Sequence, residues 1–322
     1  MTLALSVALH VDALATWWVE LLRYLPLPLL LVPALLALGA SWLMSWPWRL
    51  AAAATVVLVV SAVMGLELHG GDTGSGRVRL MTFNAKVHVT GEAGLEAIAR
   101  EIARHDPDVL VMQDADLSRW PDVPPQLRVA LADRTVYRSG QYVVASRLPM
   151  SGCRDREMST PHERHRYVRC RLHAHGVDVE LVTAHLKSPR QGLNATRHEG
   201  TEGLDEWHAN LLARLIQVGR LVRDLAGSAR PLIVAGDLNA PEHSPVIQQL
   251  MRRLELRDAF SAAGTGFGYT HGHALRPRFS FLRIDHVLVS PEIGVADCHV
   301  GGSEASEHRP VIADLLLAPE RR

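Results

Sequence analysis

Near residue 77 the chain passes from one hydrophobic pattern to another. Leu25 to Trp46 carries no formal charge and is rich in Leu and Ala, and Leu50 to Leu66 is again uncharged. A bilayer core takes about 20 apolar residues per helix, with a range near 17–25. The pattern therefore predicts a transmembrane helical hairpin, joined at Pro47-Trp48-Arg49. Trp42, Trp46 and Trp48 cluster at the joint as an interfacial aromatic belt would. Pro26, Pro28 and Pro33 would kink the first span without excluding it. A signal peptide fits poorly, because there are two apolar runs and a long stretch precedes the first. That stretch, residues 1–24, is apolar but carries His10, Asp12, Glu20 and Arg23. It is compatible with a third span, an interfacial helix or a loose tail. A helical hairpin buried against the rest of the protein is the alternative to the spans. The Gly-rich stretch from His69 to Gly76 reads as a flexible linker. The expected organisation is an anchor over 1–68, a linker over 69–77 and a soluble domain over 78–322.

From Val78 the pattern alternates strand with helix. Val78–Phe83, Val109–Met112, Tyr142–Ser146, Leu232–Ala235, Phe281–Val289 and Val311–Leu317 are apolar runs of strand length. Val168–His173 and Val177–Ala184 form a hairpin pattern about His175-Gly176. Gly94–Arg104 has helical spacing through Leu95, Ile98 and Ile102, and Glu206–Leu225 through Leu211, Leu215, Val218 and Val222. Val246–Leu254 suggests another helix. Lys187–Asp205 is long for a connection and is a candidate border of a substrate cleft.

Charge narrows the partners. Residues 1–77 hold three basic and four acidic residues, which leaves 31 basic against 30 acidic in the remainder of totals of 34 and 34. The soluble domain lacks the basic surplus of a tight duplex-DNA binder. Cys153, Cys170 and Cys298 fit no zinc spacing, and an odd count argues against a fully paired framework. We read them as buried thiols, with a Cys153–Cys170 bridge as the alternative in an oxidising compartment.

The chemistry lies where the apolar runs stop. Leu232–Ala235 ends in Gly236-Asp237-Leu238-Asn239. Residues i and i+2 share a face of a strand, so Asp237 and Asn239 can converge at its end. A carboxylate beside a carboxamide suits a hard divalent cation or a water poised for attack. Polar residues interrupt or end other runs at Asn84, Asp114, His185, Asp285, Glu307 and His308. Each has a plainer reading: Asn84 as a turn former, His185 as a core histidine, Asp285 as a partner of Arg283. Their recurrence at strand junctions is what points to a site. Arg166, Tyr167 and Arg169 fit a solvated strand face better than a phosphate site.

In order along the chain, Thr82-Phe83-Asn84, Asp106-Pro107-Asp108 with Gln113-Asp114, Ala145-Ser146-Arg147-Leu148-Pro149, Thr183-Ala184-His185-Leu186, Gly236-Asp237-Leu238-Asn239, Ile284-Asp285-His286 and Ser306-Glu307-His308-Arg309-Pro310-Val311 resemble the endonuclease/exonuclease/phosphatase superfamily. The resemblance spans about residues 78–317. It implies an α/β fold, a four-layer sandwich of two mixed sheets flanked by helices. It also implies a divalent-metal-dependent phosphoester hydrolase using Mg²⁺ or Mn²⁺. By the same resemblance Asn84, Asp114 and Glu307 are the metal ligands. His308, oriented by Asp285, acts as base or transition-state stabiliser. Asp237 and Asn239 position water and phosphate, and His185 contacts a phosphate oxygen or assists the leaving group. The family usually has Glu where this chain has Asp114, and Asp where it has Glu307; charge is kept while reach changes. The implied substrate is a nucleic acid, a phospholipid headgroup or a small phosphoester, with the lipid bilayer as the other partner and no protein partner. A catalytically silent, membrane-tethered binding module on the same fold is the competing reading. Arg49 at the joint favours a cytoplasmic loop, which places a multi-pass protein in the cell membrane with its C-terminal domain outside; Arg77 and Arg79 weigh the other way.

Overall fold

The computed structural model describes residues 2–10, 17–87, 91–118, 122–228, 231–275 and 278–319. The elements of the first region are α1 (Thr2–His10), α2 (Trp17–Leu22), α3 (Leu31–Ser41), α4 (Trp46–Leu58) and β1 (Glu67–Leu68). The next are β2 (Gly74–Asn84), α5 (Glu92–His105), β3 (Val109–Gln113), α6 (Pro125–Leu131), β4 (Thr135–Ser139), β5 (Tyr142–Ser146), β6 (Met150–Glu157), β7 (Arg166–Ala174) and β8 (Val177–Ala184). Then come α7 (Arg190–His198), α8 (Thr201–Leu225), β9 (Leu232–Asp237), α9 (Pro245–Leu254), β10 (Arg257–Asp258), α10 (Ala259–Ala263), β11 (Thr265–Gly266), β12 (Asp285–Val289), β13 (Gly294–Val300) and β14 (Val311–Pro319).

Two six-stranded sheets carry the domain, in the orders β13-β14-β2-β3-β5-β4 and β10-β12-β9-β8-β7-β6. Each is mixed, with one parallel pair, β2 with β3 and β8 with β9. The central strands β3 and β9 are buried at every position, which is why they read as unbroken apolar runs. Val111 and Val144 of one sheet and Leu181 and Ala235 of the other belong to the core between the sheets. Ile98 and Ile102 of α5 cover the first sheet, and Leu211, Val218 and Leu221 of α8 cover the second. The layering matches the expected sandwich.

Several expectations are corrected. Phe281–Val289 is not one strand: Leu282 bridges His271, and β12 begins only at Asp285, which therefore stands at a strand start. The segment Lys187–Asp205 contains α7 and the first turn of α8, so it is largely helical. Cys153 and Cys170 form a disulfide across β6 and β7, because a register shift in β6 between Ser151 and Arg154 swings Cys153 over its neighbour. Only Cys298 is a free, buried thiol. Of the expected linker, Gly74–Arg77 are the first residues of β2, and Ser75 pairs with Ala318. Asp72 accepts hydrogen bonds from Arg257 and from the Val295 amide.

The apolar region differs most. Its first leg is a 3₁₀ turn of four residues followed by the eleven residues of α3, too short at about 1.5 Å per residue to cross a core about 30 Å thick. The second leg, Trp46–Val63, has 18 residues, and among the described residues it is the one helix long and apolar enough to cross a membrane. The two-span hairpin is thus not supported. The turn falls at residues 42–45 rather than at Pro47, which sits in the first turn of α4, where a missing N–H costs nothing. Residues 11–16, with Asp12, lie outside the described residues. Residues 17–24 dock on the sandwich, with Glu20, Arg23 and Tyr24 buried.

Candidate active site

The polar residues that end the strands gather at one end of the sandwich. Asn84 closes β2 and Asp114 follows β3, its neighbour in the sheet. His185 follows β8, and Asp237 closes the adjacent β9. Asp285 opens β12 directly opposite Asp237 in the antiparallel register. His308 precedes β14, which pairs with β2. Six strands from two sheets therefore deliver their side chains to one end of the sandwich. Gln113 ties the sheets beneath it, donating to Thr82 Oγ1 at 3.1 Å and to Thr183 Oγ1 at 2.9 Å.

Asp237 is the hub. Its Oδ2 accepts from Asn84 Nδ2 at 2.8 Å and lies 3.5 Å from His185 Nε2 and 3.7 Å from His308 Nε2. Its Oδ1 accepts from the Asn239 amide at 3.0 Å, the Asx turn that Asp favours. Asp285 grips His308 Nδ1 at 2.9 Å, which turns Nε2 toward Asp237. Ligand atoms of Asp237, Asp285 and His308 lie within 4.8 Å of one another, all three residues being buried. His185 is oriented from the other side, its Nδ1 donating to Gln141 Oε1 at 2.7 Å while its amide donates to Tyr142 Oη. The close approach of β8 and β9 depends on Gly236, where a Cβ would stand 2.0 Å from the Ala184 carbonyl oxygen.

Charge follows from this packing. Burial favours the neutral carboxylic acid at Asp237, but the facing His308 and His185 and the Asn84 amide outweigh it, and its pKa is lowered. Burial works against a proton on His308, but the Asp285 and Asp237 carboxylates overcome it and push the pKa up from 6.5 to about 9. His271, unread in the sequence, lies against His308 with ring centroids 4.5 Å apart. Its Nδ1 donates to the Glu307 carbonyl at 3.1 Å. Burial, then the neighbouring His308 charge, pushes its pKa down to about 4.

Two expected ligands lie outside the Asp237–Asp285–His308 group. Asp114, with φ +48°, faces Lys86 Nζ at 3.3 Å and His185 Nδ1 at 3.6 Å. Glu307 turns to the rim, where its half-exposed carboxylate lies 3.6 Å from Arg190 of α7. Through Arg190 the Lys187–Asp205 segment reaches Glu307, beside His308. Arg283 pairs with Asp258 and Glu242, which removes the plainer reading of Asp285 as its partner. Arg166 and Arg169 pair with Asp155 and Glu180, in keeping with a structural strand face.

The model of the endonuclease/exonuclease/phosphatase family matches residues 81–308. No curated protein sequence matches the chain significantly. Among solved structures, an endonuclease/exonuclease/phosphatase from Beutenbergia cavernae is similar at 22% identity and a TM-score of 0.55, over 75% of this chain and 72% of that one. A mannosyl-6-phosphatase of Bacteroides thetaiotaomicron is similar at 17% identity and a TM-score of 0.51, over 74% and 99%. Truncated Caenorhabditis elegans TDP2 is similar at 15% identity and a TM-score of 0.53, over 74% and 97%. Likeness at these identities is likeness of fold.

Proposed function

The chain belongs to the endonuclease/exonuclease/phosphatase family, and on that premise we propose that it is a divalent-metal-dependent phosphoester hydrolase held at a membrane. The observation that carries this reading is the buried chain Asp285–His308–Asp237, with His185 on the far side of Asp237. Asp285 fixes the proton on His308 Nδ1 and aims Nε2 into the cleft. With its pKa raised to about 9, the His308 ring is cationic at neutral pH before metal binds, and can stabilise negative charge on a phosphate. Asp237 and Asn239 hold a water between the two imidazoles, and His185 faces the leaving group or a phosphate oxygen.

The donor set fits a hard cation. Asn84 Oδ1 is buried without a hydrogen-bond partner, and with the carboxylates of Asp114 and Asp237 it offers the oxygens that Mg²⁺ or Mn²⁺ takes. Bound there, the ion would polarise a phosphoryl oxygen and neutralise developing charge.

Attachment to a bilayer is supported by side chains with no protein to cover them. Leu36 is 70% and Leu43 94% exposed, with Trp42, Trp46 and Trp48 around the turn. Both ends of the α3–α4 pair return to the sandwich, through Tyr24 at one and through Tyr269, which donates to the Met64 carbonyl, at the other. The Cys153–Cys170 disulfide favours an extracytoplasmic catalytic domain.

The test is a panel of DNA, RNA, phosphoinositides, sphingomyelin and phosphomonoesters, sugar phosphates included, each with Mg²⁺, Mn²⁺ or EDTA. Metal-dependent release of product from one class is expected. No turnover on any of them would leave the silent binding module as the better reading.

A further inference from the structure

The GDLN loop is gripped from behind by α2 and the turn that follows it, outside the family's matched segment. Asn239 has φ +51°, the left-handed region that costs any residue with a Cβ. Its carbonyl accepts from Tyr24 Oη at 3.0 Å and from Arg214 Nη1 at 3.0 Å. Arg214 Nη1 also donates to Tyr24 Oη at 2.5 Å, which closes a triangle of one phenol, one guanidinium and one peptide oxygen. All of it is buried: Arg214 is 0% and Tyr24 6% exposed. The guanidinium lies 5.5 Å from the ring centroids of both Tyr24 and Trp207, so aromatic faces and these oxygens hold the cation there. Four residues earlier, Glu20 accepts from Ser244 Oγ, the residue that caps α9. Residues 20 and 24 therefore grip both ends of the loop between β9 and α9.

We propose that Tyr24 is a positioning residue of the active site, setting the Asn239 carbonyl so that the Asn239 side chain and its Asx turn with Asp237 meet the phosphate and water. This rests on the hydrolase reading above. The phenol precedes Leu25 directly, so the apolar leg and the catalytic loop share one rigid connection. A displacement of the leg reaches Asn239 directly through the Tyr24 hydroxyl and indirectly through Arg214.

The test uses the full chain in lipid nanodiscs and compares wild type with Tyr24→Phe and Tyr24→Ala. Backbone hydrogen exchange is followed in residues 236–244, with residues 142–146 of β5 as the internal control. Turnover is followed with bis(p-nitrophenyl) phosphate and Mn²⁺. Tyr24→Phe keeps the ring and loses the hydroxyl that bonds Asn239 and Arg214. It is expected to speed exchange in the loop alone and to lower kcat on the order of tenfold with KM unchanged; Tyr24→Ala should exceed it in both. Wild-type exchange and wild-type kcat in Tyr24→Phe would overturn the proposal. So would faster exchange that spreads equally to β5, or faster exchange with no change in kcat. If wild type turns over no phosphoester at all, the hydrolase reading fails, and exchange alone then decides whether Tyr24 holds the loop.

Discussion

The end of the sandwich and the α3–α4 pair invert the ordinary surface rule in opposite senses. At the first, Asn84, Asp237, Asp285 and His308 are polar yet at most 4% exposed. At the second, Leu36, Leu43, Trp46 and Val57 are apolar yet at least 65% exposed. Buried ions survive only when paired, and large apolar patches persist only when something covers them. Each region is unfinished as a purely aqueous structure, and the kind of incompleteness differs. The cleft wants charge, a cation or a phosphate. The helices want hydrocarbon. The difference shows how one chain can carry two specificities: one set by a few fixed atoms, the other by area alone.

The sharpest way to break the contrast is at the hub. Asp237→Asn keeps volume and removes the charge that faces both imidazoles. Activity should fall by at least about 10³-fold, and by about 10²–10³-fold in His308→Ala, with circular dichroism unchanged; near wild-type turnover in either, on a substrate the wild type accepts, would remove the site assignment. The apolar side is tested by Val57→Lys, which puts a charge near the middle of the Trp46–Val63 leg. At about 2.5–3.5 kcal/mol per lysine at a bilayer centre, retention on floated vesicles should drop on the order of 100-fold; equal retention would mean that Val57 does not meet lipid. The smallest effect is thermodynamic. The folded-state pKa of His308 is raised from 6.5 to about 9, so its proton stabilises the metal-free protein fully below about pH 6.5, and that stabilisation is lost as pH rises through about 9, on the order of 3 kcal/mol. Urea midpoints of EDTA-treated wild type and His308→Ala should converge between pH 6.5 and pH 9.5; parallel curves would mean that the Asp285–His308–Asp237 charges are not coupled.

What could be read from the sequence follows the same contrast. Asn84, Asp114, His185, Asp237 and Asp285 were visible because each breaks or ends an apolar run at the end of an interior strand, and the ordered motifs gave the architecture. The direction of Glu307 toward Arg190 could not be read, because it sits in an irregular segment before β14 where no strand or helix period sets side-chain directions. His271 was invisible because Tyr269–His273 has no apolar run. It is held by isolated bridges to Leu282 and His308, far away in the chain. The edge strands β4, β6 and β13 alternate too weakly to be read, and the disulfide depends on a bulge in one of them. Tyr24 lay in a stretch whose docking is decided by partners near residues 214 and 239.

One letter of the GDLN motif does no chemistry. At Gly236 the backbone of β9 comes so near that of β8 that no side chain fits, and the next residue on each strand, Asp237 and His185, then meets its counterpart at 3.5 Å. The glycine is a ruler: it encodes a length, and the aspartate beside it has meaning only at that length. Such a motif is a sentence with a silent word, in which the residue least able to react is also the one least free to change.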